Sequence, residues 1–330
     1  MDLNAPQNLT LPVVRETIAD FRMVCYYQRQ TKSNKTKARQ QEQYTMTTIN
    51  WNEIWRNTDD AKERSNNLEF WDNYAPRFRK KLTEPDPYIE KFYEYMGAET
   101  GDTLFDMGCG PGTLAIPFAR KGHEVFAADF SPEMLKYLMK GAEEEGVADR
   151  VHPIQLNWNE DWSERNLPQC DIAFSSRSFI SRDLTSSLEK LESVARRKVC
   201  IGAWDSPAPS YDRHLAKAIG YERPGISVYY MIMGELMDRD VFPELKFIFT
   251  PFRLSKFESR EAAEEQLRAA FSHMTAEQEE LFNTYLEEHL FFNPEKGRYY
   301  GRELDGFWQF DHDETSSIAF ISWNIETVYG

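Results

Sequence analysis

The chain has 330 residues and a net charge of −15, from 54 acidic and 39 basic side chains, with 41% hydrophobic and 28% charged residues. This suits one large soluble domain or two small ones, and the acidity argues against a protein that tracks a nucleic-acid phosphate backbone. Four cysteines (Cys25, Cys109, Cys170, Cys200) without CxxC or zinc-ligand spacing, and the lack of a long apolar run or a signal-peptide apolar region, predict a reduced, cytoplasmic protein with no membrane span and no metal site.

Residues 1–66 are polar and mixed apart from an apolar patch over 13–27, and read as an N-terminal helical or polar arm. The charged stretch 32–43 is a linker or exposed helix, and the basic run 28–39 is too short to make a nucleic-acid surface. Trp51 and Trp55 fall at near-helical spacing and predict helix packing. A domain over 67–330 follows, and Phe70 to Phe78 opens it with a second aromatic helix containing Trp71 and Tyr74.

The stretch from Leu104 to Thr113 organises the rest. An apolar run reads as a buried parallel strand, Asp106 follows, and then come glycines at alternate positions, Gly108, Gly110 and Gly112. A helix-compatible run from Leu114 to Ala119 ends at Gly122. Strand, glycine turn and helix open a nucleotide-binding α/β unit, in which the glycines let the backbone turn tightly and approach a ligand. The next strand, Glu124 to Phe130, ends in Asp129, and Ser131-Pro132-Glu133 supplies an N-cap, a first-turn proline and a favourable acid for a helix reaching Glu145. Asp129 lies 21 residues after Gly108, where a carboxylate accepts the two ribose hydroxyls of an adenosine.

Further strands are predicted over 151–156, 171–176, 198–204, 245–254 and 317–323, with a helix over 184–195 between those at 171–176 and 198–204. Residues 205–243 have little strand character and read as a lid-like insertion rich in tyrosine and methionine. Ser259 and Thr275 are N-caps for two charged helices, with Thr275 to Gln278 fitting a capping box, so that about 258–300 reads as a helical insertion. The fold class is α/β: a Rossmann-like, seven-stranded, mostly parallel sheet with helices on both faces, an N-terminal helical arm and an inserted lid.

Spacing narrows the ligand. The dinucleotide fingerprint wants a third glycine where Thr113 stands, and a carboxylate at Asp106 would repel a pyrophosphate but attract a cation. S-adenosylmethionine carries an ammonium and a sulfonium. Asp106-x-Gly108-x-Gly110-x-Gly112 resembles motif I of the class I S-adenosylmethionine-dependent methyltransferases of the small-molecule type, and the resemblance covers about 67–330. It implies S-adenosylmethionine as cofactor, with Tyr74, Asp106, Gly108, Cys109, Gly110, Asp129, Phe130, Met134, Asn157, Trp158 and Ser175 as its contacts. At Asn157 the family more often has aspartate. The end of the fourth strand resembles motif IV, but Ser175-Ser176-Arg177-Ser178-Phe179 is not the Asn/Asp-Pro-Pro-aromatic signature of many amino-group methyltransferases. No catalytic residue is assigned, because a sulfonium leaving group needs a general base only for a protonated acceptor. Arg177, His214, Tyr229 and Tyr230 are acceptor-contact candidates for a small, partly apolar molecule. A protein methyltransferase, a non-catalytic adenosine-nucleotide-binding protein and a nicotinamide oxidoreductase are the alternatives, the last disfavoured by Asp106 and Thr113.

Overall fold

The computed structural model describes residues 49–58, 67–79, 86–204, 213–221, 226–251, 256–269, 271, 274–299, 302–312 and 315–326. The expectations for 1–48, including Cys25, and for 205–212 lie outside these residues. Two compact units divide the chain, Met1–Ile49 and Asn50–Gly330, and Ile49 apart the described residues belong to the second.

The strands in chain order are β1 (Thr103–Met107), β2 (Glu124–Asp129), β3 (Val151–Gln155), β4 (Cys170–Ser176), β5 (Ala195–Trp204), β6 (Glu244–Pro251), β7 (Leu290–Tyr299), β8 (Arg302–Phe310) and β9 (Thr315–Asn324). Seven of them form the expected mostly parallel sheet, in the order β3-β2-β1-β4-β5-β9-β6. β1 pairs in parallel with β2 (Phe105 opposite Phe126) and with β4 (Phe105 opposite Ala173). β9 runs antiparallel between β5 and β6, with Ile201 opposite Ile321 and Phe247 opposite Ala319. Helices cover both faces, which is why β1 buries four successive residues, Leu104 to Met107, instead of alternating.

The helices follow from their caps. In α1 (Trp51–Arg56), Asn50 accepts from the Glu53 N–H. α2 is Leu68–Arg79. α3 (Pro87–Met96) has Asp86 as N-cap, proline in its first turn and Gly97 in the left-handed conformation at its end. α4 is Ala115–Arg120, and in α5 (Pro132–Glu144) the Ser131 hydroxyl accepts from the Met134 N–H, as its sequence predicts. In α6 (Leu184–Val194) the cap is Asp183. α7 (Arg213–Ala218), α8 (Val228–Asp238), α9 (Arg260–Ala269) and α10 (Ala276–His289) complete the series, α10 with the predicted Thr275–Gln278 capping box.

The structure adds to the sequence reading in three places. α1 lies within the stretch read as an arm, yet it is part of the domain: Trp55 is fully buried, its indole N–H donates to Ser181 O at 2.8 Å, and its ring meets Phe179 edge-on at 5.6 Å. Helices α3, α7 and α8 join the predicted ones. The insertion read as helical to residue 300 instead ends in a β7–β8 hairpin. There a bulge between Asn293 and Lys296 and the run Pro294, Glu295, Lys296, Gly297, Arg298 break the alternation that marks a strand. The hairpin, α7, α9 and α10 share a second core around Leu215, Ile219, Phe257, Phe282, Leu286 and Phe310. Among the described residues no helix is long and apolar enough to cross a membrane.

The order places a ligand crevice. β1 has β2 on one side and β4 on the other, so the chain's crossovers diverge there, and the space beyond the carboxyl ends of β1 and β4 is left open to a ligand.

Candidate active site at the sheet switch point

At the carboxyl end of β1 the backbone turns through Gly108 (φ 76°), Gly110 (φ 53°) and Gly112 (φ 91°), conformations that a side chain would strain. The Gly108 and Cys109 N–H groups both donate to Ala128 O, at 2.7 and 3.0 Å, clamping the turn to the end of β2. A Cβ on Gly108 would lie 2.4 Å from the Ser178 side chain, so the loop after β4 presses on the turn from the other side. The Ser178 hydroxyl donates to Met107 O at 3.0 Å and lies 3.0 Å from the buried Ser175 hydroxyl.

Two carboxylates flank this turn. Asp129 accepts the Gly110 N–H on Oδ2 and the Ser131 N–H on Oδ1, both at 2.9 Å. Burial pushes its pKa up to about 6 even though those backbone donors pull the other way. Each carboxylate oxygen has two lone pairs, so a further donor can reach each one, as a pair of vicinal hydroxyls would. Asp106 is buried, and its Oδ2 has no hydrogen-bond partner. Burial first, and the nearby charge of Asp129 second, raise its pKa well above the ordinary carboxylate value. A buried acceptor left unmade costs about 1–3 kcal/mol, and more for a charge, so this atom fits a ligand that brings a donor, best of all a cationic one. Cys109 offers no such chemistry: burial raises its thiol well above the ordinary value, and the thiol donates to Gly110 O at 3.4 Å.

The remaining sequence-predicted cofactor contacts surround these acids unequally. Met134 is buried in the first turn of α5, and Phe130 is half-buried just before it. α2 packs on α5, where Asp72 accepts from the Ser131 hydroxyl, so the aromatic helix stands beside Asp129. Its Tyr74 is half-buried, stacked on Phe70 at 5.8 Å and edge-on to Trp71 at 6.2 Å. Asn157 uses its side-chain oxygen to accept the Asn159 N–H at 2.8 Å, bracing the loop after β3. Trp158 is buried; its N–H donates to Ser178 O at 2.9 Å, and its ring stacks on Trp162 at 5.6 Å and meets Phe179 at 5.1 Å.

A second group gathers where β4 and β5 end. The Tyr88 hydroxyl is 2.6 Å from the Ser176 hydroxyl, and burial pushes its pKa up to about 12, so it stays protonated. The Arg177 guanidinium lies 4.4 Å over the Tyr88 ring and 5.9 Å from the Trp204 ring. Arg177 itself has φ 55°, and its N–H donates to Gly202 O at 2.7 Å. A Cβ at Gly202 would lie 2.5 Å from the Tyr88 hydroxyl, so the contact between α3 and β5 requires glycine. Tyr88, Ser176 and Trp204 are absent from the sequence-predicted site. The Asp86-Pro87 start and Gly97 stop of α3 were the signal that could have found Tyr88.

Tyr229 is buried and Tyr230 half-buried, their rings 4.4 Å apart, and Tyr229 meets Phe247 edge-on at 5.6 Å. Both sit in the first turn of α8, which leads into β6. Since β6 runs parallel to β5, that first turn lies toward the carboxyl edge of the sheet. His214 is exposed near the start of α7, beside the accessory core, with its ring 4.5 Å from that of His312.

A methyltransferase-domain family model matches residues 104–198. The chain is 30% identical over 181 residues to an uncharacterised protein of Haemophilus influenzae, covering 54% of this chain and 66% of that relative. It is 40% identical over 57 residues to the tRNA (guanine(37)-N(1))-methyltransferase of Mus musculus, covering 17% of this chain and 11% of that one. It thus spans less than two thirds of the length of these curated relatives. Among solved structures, geranyl diphosphate C-methyltransferase from Streptomyces coelicolor A3(2) aligns with a TM-score of 0.39 at 16% identity, over 72% of this chain and 78% of that chain.

Proposed function

We propose that this chain, which matches a methyltransferase-domain family model over residues 104–198 and carries the Rossmann-like sheet, is a class I S-adenosylmethionine-dependent methyltransferase that transfers a methyl group to a small, partly apolar organic acceptor. The observation that carries the reading is the buried, unpartnered Oδ2 of Asp106 beside the glycine turn, with Asp129 held across that turn by two backbone donors. Asp106 accepts from the cofactor's ammonium and Asp129 from its ribose hydroxyls. Gly108, Cys109 and Gly110 leave room for its backbone-side approach. Phe130, Met134, Tyr74 and the loop of Asn157 and Trp158 supply the walls, and Ser175 lies behind the turn.

The bound cofactor supplies a methyl group on a positively charged sulfur, a leaving group that needs no activation. The protein's own task is to hold the acceptor in line and to keep water out. Arg177, held over Tyr88 and near Trp204, has a guanidinium with no hydrogen-bond acceptor among the described residues, and it offers its donors to a polar or anionic group of the acceptor. Tyr229 and Tyr230, with the aromatic helix α2, supply apolar walls that close over it.

Calorimetry tests the cofactor reading: S-adenosylhomocysteine binds, NAD does not, and Asp129→Ala loses the binding. Transfer of labelled methyl from S-adenosylmethionine to a small-molecule extract tests the acceptor class. Label that enters only a basic-protein fraction would replace this acceptor with a peptide side chain.

A further inference from the structure

Outside the cofactor crevice the fold assembles a group that sequence spacing does not show. His289 ends α10, while Asp311 and His312 follow β8 on the link to β9. One ligand atom from each of the three lies within 4.8 Å of the others. His289 Nδ1 is 3.0 Å from Asp311 Oδ2, and His312 Nδ1 is 3.0 Å from Asp311 Oδ1. Adjacent ligands around an ion with bonds of about 2.1 Å sit about 3.0–3.4 Å apart, so both nitrogen–oxygen spacings already suit a shared cation.

The frame is built rather than incidental. The Asp311 N–H donates to His289 O at 3.1 Å, fixing the link to the end of α10. Tyr285 packs on the His289 ring at 4.3 Å, and Phe310 stacks on the His312 ring at 5.1 Å, which orients both imidazoles. His214 stands 4.5 Å from His312. The whole chain has six histidines, and three of them meet here. His123 and His152 are used elsewhere, against Tyr93 and Glu124.

We propose that His289, Asp311 and His312 bind a divalent transition-metal ion of the zinc class, with His214 or water completing its shell. Imidazole nitrogens and one carboxylate are the donor set such ions prefer over magnesium or calcium. The ion pins the end of α10 to the link that returns the chain from the accessory subdomain to β9. This inference does not depend on the methyltransferase reading.

The test is titration of the chelator-treated full chain with zinc by calorimetry and with cobalt(II) by visible absorption. The expected result is one ion per chain, a cobalt spectrum of nitrogen–oxygen coordination, and at least tenfold weaker binding in both His289→Ala and Asp311→Asn, with His152→Ala unchanged. Far-UV circular dichroism checks that the variants fold. If they do not, the wild-type titration decides alone through its stoichiometry and through protection of His289 and His312 from diethyl pyrocarbonate by zinc. Absence of stoichiometric binding, or binding unaltered in both folded variants, overturns the proposal.

Discussion

Lowering the pH from 7 to 5 should weaken S-adenosylhomocysteine binding by about tenfold through Asp129 alone. The free protein holds this carboxyl at about pKa 6, because burial disfavours its charge more than the Gly110 and Ser131 donors favour it. It must be ionised to accept two hydroxyls while keeping both backbone donors. With a pKa of about 6 it is about 90% ionised at pH 7 and about 10% at pH 5, and the ligand's own α-ammonium and α-carboxylate keep their charges between those values. The stability sign runs the same way. A carboxyl whose folded pKa lies above the unfolded value of 3.8 favours the fold fully below that value. It loses the contribution as pH rises through 6, about 3 kcal/mol for this shift. The cofactor-free protein therefore holds an unfavourable charge at neutral pH that hydroxyl donors relieve. Isothermal calorimetry across pH 5 to 7 reads the slope in the wild type and in Asp129→Asn. The variant should lose the tenfold factor and keep only the dependence due to Asp106. A flat wild-type profile, or equal slopes in the two proteins, would refute the reasoning.

Asp106→Asn keeps the shape of the buried side chain but cannot carry the charge that a ligand's ammonium would meet, so S-adenosylhomocysteine should bind at least tenfold more weakly by calorimetry in protein that circular dichroism shows to be folded, and unchanged affinity would contradict the assignment. Gly108→Ala places a Cβ 2.4 Å from the Ser178 side chain at a φ of 76°, and calorimetry should find no S-adenosylhomocysteine binding in protein that remains folded by circular dichroism. Trp55→Ala empties a fully buried site and breaks the bond to Ser181 O, so urea denaturation should show about 3–5 kcal/mol lost, whereas a loss under about 1 kcal/mol would mean that α1 is not part of the cooperative domain.

The sequence by itself determined what depends on neighbours along the chain. A short apolar run, a carboxylate and alternate glycines permit little besides strand, tight turn and helix, and the strand ends at Asp129, Ser176 and Trp204 were legible to within a residue or two. Caps such as Ser131 and the Thr275–Gln278 box were equally local, because their hydrogen bonds close within one helical turn. The two acids at the turn were visible as spacing. That Asp106 is buried and unpartnered while Asp129 is tied by two backbone donors came only from packing β1 between β2 and β4. Trp158 reads equally as a ligand platform or a core ring in sequence; Trp162, Phe179 and the loop carbonyl of Ser178 take up its faces and its N–H. Tyr88 and Arg177 are 89 positions apart, and His289 and His312 are 23 apart across a hairpin whose bulge erases its alternation. Only the fold brings such pairs together, since contacts between distant residues are set by strand order and by which helix face is buried, and neither leaves a local periodicity to read.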